Sequence, residues 1–236
     1  MGLNHTGRSA VITIDGPSGV GKGTLALLLA KRLNWHLLDS GSLYRLVALT
    51  ALRQQIPLDN AMALAELARH LEVSYEVTNS GVVALLAGEV VGDAIRTEAV
   101  ATAASQIAAL AKVREALLQR QRDFSQPPGL IADGRDMGTT VFPHAVAKLF
   151  LTASPVVRAE RRYKQLKEKG IDANLRALEV EIAERDERDS QRSVSPLKAA
   201  DDAVIIDTSL LTLDAVMQQA MVVIAASTTV SAAARD

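Results

Sequence analysis

Five short runs of apolar, β-favouring residues punctuate the chain, and each ends in a polar residue: Val11 to Asp15, His36 to Ser40, Gly129 to Asp133, Lys148 to Thr152 and Ala203 to Asp207. Near-continuous apolarity over four or five positions marks a strand covered on both faces, the habit of parallel sheets. Between these runs apolar positions recur at helical spacing, which predicts helices over Lys22 to Leu33, Ser42 to Gln54, Thr97 to Phe124, Pro155 to Lys169, Leu175 to Arg188 and Leu213 to Ala226. Alternating strands and helices imply an α/β fold with a five-stranded parallel sheet flanked by helices, whose binding crevice lies at the carboxyl ends of the strands. One stretch departs from the alternation. Leu71 to Val77, the turn Thr78-Asn79-Ser80-Gly81, Val82 to Leu86 and Gly88 to Val91 read as a small antiparallel meander. With the helical pattern from Asn60 to Arg69 it forms an insertion outside the main sheet. The expected organisation is one domain, with a core over about residues 10–57, 97–157 and 175–226, the insertion over 58–96, a short lid over 158–174, and loosely ordered tails at 1–9 and 227–236.

The first strand runs into Gly16-Pro17-Ser18-Gly19-Val20-Gly21-Lys22-Gly23-Thr24, and a helix follows at once. Glycines let the backbone curl until several N–H groups point at one anion; the helix N-terminus adds its positive dipole end, and Lys22 supplies a cation for the outer phosphates. This is a P-loop, and the residues from Gly16 to Thr24 (Gly16, Pro17, Ser18, Gly19, Val20, Gly21, Lys22, Gly23 and Thr24) are the expected phosphate-binding set, which the resemblance named below makes the ATP-binding set. Gly23 stands where a Ser or Thr hydroxyl usually takes Mg²⁺, and Thr24 comes one place later. The third strand ends Asp133-Gly134-Arg135-Asp136-Met137-Gly138. Asp133 is positioned to hold Mg²⁺, directly or through water, in compensation for Gly23. Arg135 offers a fork for phosphate, and Asp136 an acceptor for amine donors; the alternative reading of this block is a salt-bridged turn.

Elsewhere the patterns leave alternatives open. Ser40 and Arg45 flank a strand-to-helix junction and could hold a second phosphate, or could be a helix N-cap and a solvated arginine. Arg185, Asp189 and Arg192 are spaced to share one helical face, either as part of the site or as a solvated, ion-paired surface. Arg158, Arg161 and Arg162 cluster similarly, and two arginine clusters bracketing Lys167 to Asn174, with Gly170 as hinge, suit a lid over polyphosphate. His5, His36, His70 and His144 form no cluster and read as structural or exposed.

Composition narrows the function classes. The chain has 236 residues, 48% of them apolar, which supplies one α/β core with an insertion but not two full domains. A net charge of −1 and an aromatic content of only 3% give neither a basic surface nor a stacking platform, so no nucleic acid polymer is expected as partner. The absence of cysteine removes disulfides, thiolate metal sites and cysteine nucleophiles. No secretory signal pattern opens the chain and no long uncharged apolar run crosses it, so a cytoplasmic protein without membrane association is expected.

From about Val11 to Ala225 the chain resembles the bacterial cytidylate kinases with a long insertion in the acceptor-binding part. The resemblance is carried by Ile14 to Gly19 into Gly21-Lys22-Gly23-Thr24, by Leu38-Asp39-Ser40-Gly41 with Tyr44-Arg45, by Ala132 to Thr139, and by Arg185-Asp186 with Arg188-Asp189 and Arg192. It implies a P-loop kinase fold and transfer of the γ-phosphate of ATP to CMP or dCMP with Mg²⁺, by a monomer. It further implies a catalytic set of Lys22, Arg135, Arg161, Arg162 and Arg185. Ser40, Arg45 and Arg135 would serve the acceptor phosphate and ribose, Ser105, Arg114 and Asp136 the cytosine, Arg185 and Asp189 the sugar, and Arg192 phosphate or base. Another small-molecule P-loop kinase, such as a UMP kinase, is the alternative enzyme; a nucleotide-dependent switch or NTPase is the alternative of another class, against which stands the lack of an Asn-Lys-x-Asp motif. One geometric conflict follows. At about 100° per residue, Ser105 and Arg114 point to opposite sides of an unbroken helix. A break between Gln106 and Val113, around Ala108 to Ala111, is therefore expected.

Overall fold

The computed structural model describes residues 9–78, 81–168 and 170–233. The chain divides into two compact units, one running up to Leu38 and again from Phe124 onward, the other from Asp39 to Asp123. The first unit is built on β1 (Val11–Asp15), followed by α1 (Lys22–Leu33) and β2 (His36–Asp39), whose last residue opens the second unit. In the second unit come α2 (Ser40–Arg53), α3 (Ala61–Arg69), β3 (Val73–Thr78), β4 (Gly81–Leu86), β5 (Glu89–Val90), α4 (Glu98–Ile107) and α5 (Ala111–Asp123). The chain then resumes the first unit with β6 (Leu130–Asp133), β7 (Ala147–Thr152), α6 (Pro155–Glu168), α7 (Leu175–Ser190), β8 (Val204–Asp207) and α8 (Leu213–Ala233).

The five expected strands form one parallel sheet in the order β2-β6-β1-β7-β8. β1 lies at its centre, with Ile14 paired to Asp133 of β6 on one side and Asp15 to Phe150 of β7 on the other. All five residues of β1 are buried, as its unbroken apolar run requires. Ile12, Ile14, Ile131, Leu149 and Ile206 from the sheet pack with Leu25 and Leu29 of α1 and with Val216, Ala220 and Ile224 of α8 in one continuous core. That core fixes the carboxyl ends of β1 and β6, from which the glycine loop and the Asp133–Gly138 segment emerge.

In the second unit α2 packs on α3 and α4, and α3 on α5, burying Leu46, Val47, Leu64, Ile107 and Leu117 completely. The meander is present as the antiparallel sheet β3-β4-β5, and Thr78 pairs with Gly81; Asn79 and Ser80 of its turn lie outside the described residues, as does Lys169 at the expected end of α6.

One expected break is present, and two other boundaries differ from the sequence reading. The pattern from Thr97 to Phe124 is two helices: α4 ends at Ile107, α5 begins at Ala111, and the break falls where the Ser105–Arg114 geometry placed it. α7 ends at Ser190 with Gln191 as its C-cap, so Arg192 lies beyond the helix and not on a helical stripe with Arg185 and Asp189. The expected loose tail from Ser227 is helical to Ala233, continuing α8 from its apolar stretch Met221 to Ala226; within it the Ser227 hydroxyl donates to the Val223 carbonyl at 2.9 Å, an arrangement helices tolerate. No helix among the described residues is long and apolar enough to cross a membrane.

Candidate active site

The glycine loop leaves β1 at Gly16, whose φ of +144° and proximity to the Leu151 carbonyl, 2.1 Å from where a Cβ would sit, admit no side chain. Gly21 caps α1 in the left-handed conformation with no side-chain hydrogen bond to the first amides of α1. Lys22 is 7% exposed, and its Nζ donates to the Pro17 carbonyl at 2.8 Å, folding the cation across the loop. Burial, then the positive charges of Arg135 and Arg185, push its pKa down to about 7 against the pull of Asp133 and Asp15. Gly23 and Thr24 are exposed, and a Cβ on Gly23 would stand 3.5 Å from Asp133 Oδ2, which sets the Asp133 carboxylate beside the first turn of α1.

Arg135, half-buried, donates from Nε to Asp189 Oδ2 at 2.9 Å. Asp189 is 4% exposed. Burial works to raise its pKa, but Arg135, Arg192 and Arg185 around it hold it below the usual carboxylate value. Residues from four separate segments, Lys22, Asp133 with Arg135, Arg185 with Asp189, and Arg192, are thereby gathered at the carboxyl ends of β1 and β6. This excludes the solvated-surface alternative for Asp189; the Arg188–Glu184 pair, at 3.8 Å and exposed, is the part of α7 that fits that description. Asp136 is 3% exposed at the entry to a π turn (Met137–Val141), an element with no periodic signal in the sequence. Its carbonyl accepts from the amides of Thr140 and Val141 at 2.9 and 3.2 Å, so its backbone is fixed.

The three arginines of α6 have different surroundings. Arg158 is 2% exposed and internal: it donates to the Ala153 carbonyl at 3.0 Å, to the Ser18 carbonyl of the glycine loop at 3.2 Å, and to both carboxylate oxygens of Asp186. It is a strut between the loop and α7, not a member of an exposed stripe. Arg161 donates to the hydroxyl and carbonyl of Thr208, and Arg162 is half-buried. Gly170, at φ +71°, turns the chain between α6 and α7. Removing Asp186 leaves the Arg158 guanidinium buried without its counter-charge, so Asp186→Ala is expected to cost about 3 kcal/mol of stability in urea unfolding, the low end for a broken buried pair because Asp186 keeps some solvent. A loss below about 1 kcal/mol would make the pair a surface one in energetic effect.

In the second unit Asp39, not Ser40 or Ser42, caps α2, accepting from the Ser42 amide at 3.1 Å. Ser40 is free of the capping role and donates its hydroxyl to Gln121 Oε1 at 2.7 Å. Gln121, 1% exposed in α5, was not singled out by any motif; its amide group in turn donates to the Leu117 carbonyl, which orients the oxygen toward Ser40. Arg45 donates to the Ile95 carbonyl at 3.1 Å. The break between α4 and α5 brings the Arg114 guanidinium back to the Ala108 carbonyl at 3.2 Å and over the Tyr44 ring at 5.7 Å. Ser105, 6% exposed in α4, has a hydroxyl with no hydrogen-bond partner. A buried, unsatisfied hydroxyl is a cost that a bound polar group removes.

The chain is 59% identical over 222 residues to the cytidylate kinase of Azotobacter vinelandii, an alignment that covers 93% of this chain and 96% of that protein. It is 58% identical over 207 residues to the cytidylate kinase of Aeromonas salmonicida, covering 88% and 90% of the two chains, and 56% identical over 214 residues to that of Pseudomonas aeruginosa, covering 90% and 93%. The cytidylate kinase family model matches residues 12–226, from β1 into α8 and through every segment that brings a residue to the site, and the chain belongs to that family.

Proposed function

We propose that the protein transfers the γ-phosphate of ATP to CMP or dCMP, giving ADP and CDP or dCDP. The observation that carries this reading is the cation cluster at the strand ends: Lys22 folded over a glycine loop, with Arg135 and Arg185 near enough to depress its pKa. Cations held together against their own repulsion gain most when polyphosphate binds among them. The glycine loop from Gly16 to Thr24 takes the donor phosphates. Ser40, Arg45 and Arg135 take the acceptor phosphate and ribose, Ser105, Arg114 and Asp136 the cytosine, and Arg185, Asp189 and Arg192 the sugar and neighbouring phosphate or base. An oxygen of the acceptor phosphate attacks the γ-phosphorus, so no side-chain nucleophile is needed. Lys22, Arg135, Arg161, Arg162 and Arg185 neutralise the charge spread over the transferred group.

The residues fit Mg²⁺ sparsely. Asp133 offers one largely buried carboxylate beside Gly23, which has no hydroxyl, and a single hard oxygen donor suits an ion that keeps its waters. When bound, Mg²⁺ neutralises donor-phosphate charge; Asp133 would hold it through water. Water must be excluded from the assembled site, a role for the 158–174 lid and the 58–96 insertion. A monomer working in the cytoplasm completes the proposal.

The experiment is ADP production with ATP and, separately, CMP, dCMP, UMP, AMP, shikimate or no acceptor. Turnover is expected with CMP and dCMP and far less with the rest. Preference for UMP would make it a UMP kinase, and acceptor-independent turnover would favour an NTPase or switch.

A further inference from the structure

Asp15 is the one ionisable residue of β1 and has no part in the chemistry described above. It ends the central strand at 5% exposure, directly before Gly16, and burial pushes its pKa up to about 6. What holds the carboxylate there is one pair of backbone donors: Oδ1 accepts from the Met137 amide at 2.8 Å and Oδ2 from the Gly138 amide at 2.7 Å. These are the first two residues of the π turn. One residue earlier on β1, the Ile14 carbonyl accepts from the Gly134 amide at 3.1 Å. Two consecutive residues of β1 thus hold both ends of a short span, and the dipeptide between them is Arg135-Asp136. Gly138 is shaped to the contact, since a Cβ there would lie 3.3 Å from Asp15 Oδ2 and 2.9 Å from the Thr13 hydroxyl.

We infer that Asp15 is a positioning residue for acceptor recognition: by pinning the Met137 and Gly138 amides it fixes Arg135 and Asp136 in register with the glycine loop that leaves the same strand. The inference rests on the acceptor roles proposed above for Arg135 and Asp136. An aspartate suits the task because a carboxylate is the only short side chain that accepts at both ends; in Asn the amide nitrogen faces one backbone N–H donor to donor. The π turn, which has no local sequence support, then owes its start to a charge 122 residues away in the chain.

The test is the Asp15→Asn variant in steady-state kinetics with CMP and UMP. CMP kcat/KM is expected to fall by about 30-fold or more and the CMP-to-UMP ratio to narrow by about 10-fold, while KM for ATP stays within about twofold. A folded variant that keeps the wild-type ratio overturns the inference, as does one in which CMP, UMP and ATP parameters decline together, the mark of general destabilisation. Should Asp15→Asn fail to fold, amide hydrogen exchange of the wild-type protein decides. The Met137 and Gly138 amides lie outside the strand ladder, yet are expected to exchange at least about 100-fold more slowly than an unprotected amide, and fast exchange at both overturns the inference. If the wild type itself used UMP as readily as CMP, the acceptor reading would fail, while the exchange measurement would still report whether Asp15 holds the turn.

Discussion

Lys22→Ala is expected to lower ATP-dependent turnover of CMP by about 10²- to 10³-fold or more while the protein stays folded. Removing a positioned charge from a phosphoryl-transfer transition state costs about 3 to 5 kcal/mol. The fold should tolerate the loss, because Lys22 contributes to stability in the unfavourable direction. Its pKa in the ligand-free protein lies near 7, below the ordinary lysine value of 10.5, so between those limits the folded chain binds fewer protons than the unfolded one. Stability from this group therefore rises with pH from about 7 upward, and burying the charged amine opposes folding below that. Lys22→Met should remove that rise from a series of urea titrations. The same depression makes ATP binding take up a proton at pH 8, since donor phosphates favour the ammonium. Calorimetric titration in two buffers of different ionisation enthalpy reads that uptake directly. Near wild-type turnover in folded Lys22→Ala would show that this loop is not the donor site, and unchanged heats across buffers would show that Lys22 is charged before ATP arrives.

The donor half of the site was legible because its signals are local. Strand, glycine loop and helix follow one another within Val11 to Leu33, and Gly16 and Gly21 occupy backbone conformations that their residue type announces. The parallel sheet was legible for a similar reason in its central strands β6, β1 and β7, where burial on both faces writes itself into consecutive residues; the edge strands β2 and β8 are not covered on both faces as expected, only Leu38 and Ile206 being buried in them, because each has a neighbour on one side alone. What the sequence concealed depends on partners far along the chain. The break at Ala108–Leu110 runs against alanine's helical propensity, but it allows Ile107 and Val113 both to be fully buried, which one straight helix would aim about 120° apart. Only the requirement that Ser105 and Arg114 serve one base exposed it. Arg158 and Arg161 looked alike as members of an arginine-rich helix, yet one is internal and tied to Ser18, Ala153 and Asp186 while the other reaches Thr208. Periodicity cannot separate them, because the difference lies in what α6 packs against. Asp15 did leave a signal, an acid closing a buried strand, and its meaning needed the two amides it accepts from.

Asp136 is expected to set base choice. Cytosine presents a 4-amino group that a carboxylate accepts, while uracil presents an oxygen there, and two acceptors facing each other away from water repel. The expected preference of the wild type for CMP over UMP is about 30- to 1000-fold in kcat/KM, or about 2 to 4 kcal/mol. Asp136→Ala should lower CMP activity and narrow that preference; Asp136→Asn should narrow it further, because a rotated amide donates to the uracil oxygen as readily as it accepts from cytosine. Neither substitution should unfold the protein. The backbone at 136 is held through its own carbonyl by Thr140 and Val141, and loss of the Asp136 charge relieves the buried Asp15 carboxylate of a like charge that helps raise its pKa. If Asp15 acts through Asp136, adding Asp15→Asn to Asp136→Ala should leave the CMP-to-UMP ratio where Asp136→Ala alone puts it, since the selectivity that Asp15 positions is already gone. An unchanged ratio in both single Asp136 variants would remove Asp136 from the cytosine pocket and leave Ser105 and Arg114, one on each side of the α4–α5 break, as the residues to test for base choice.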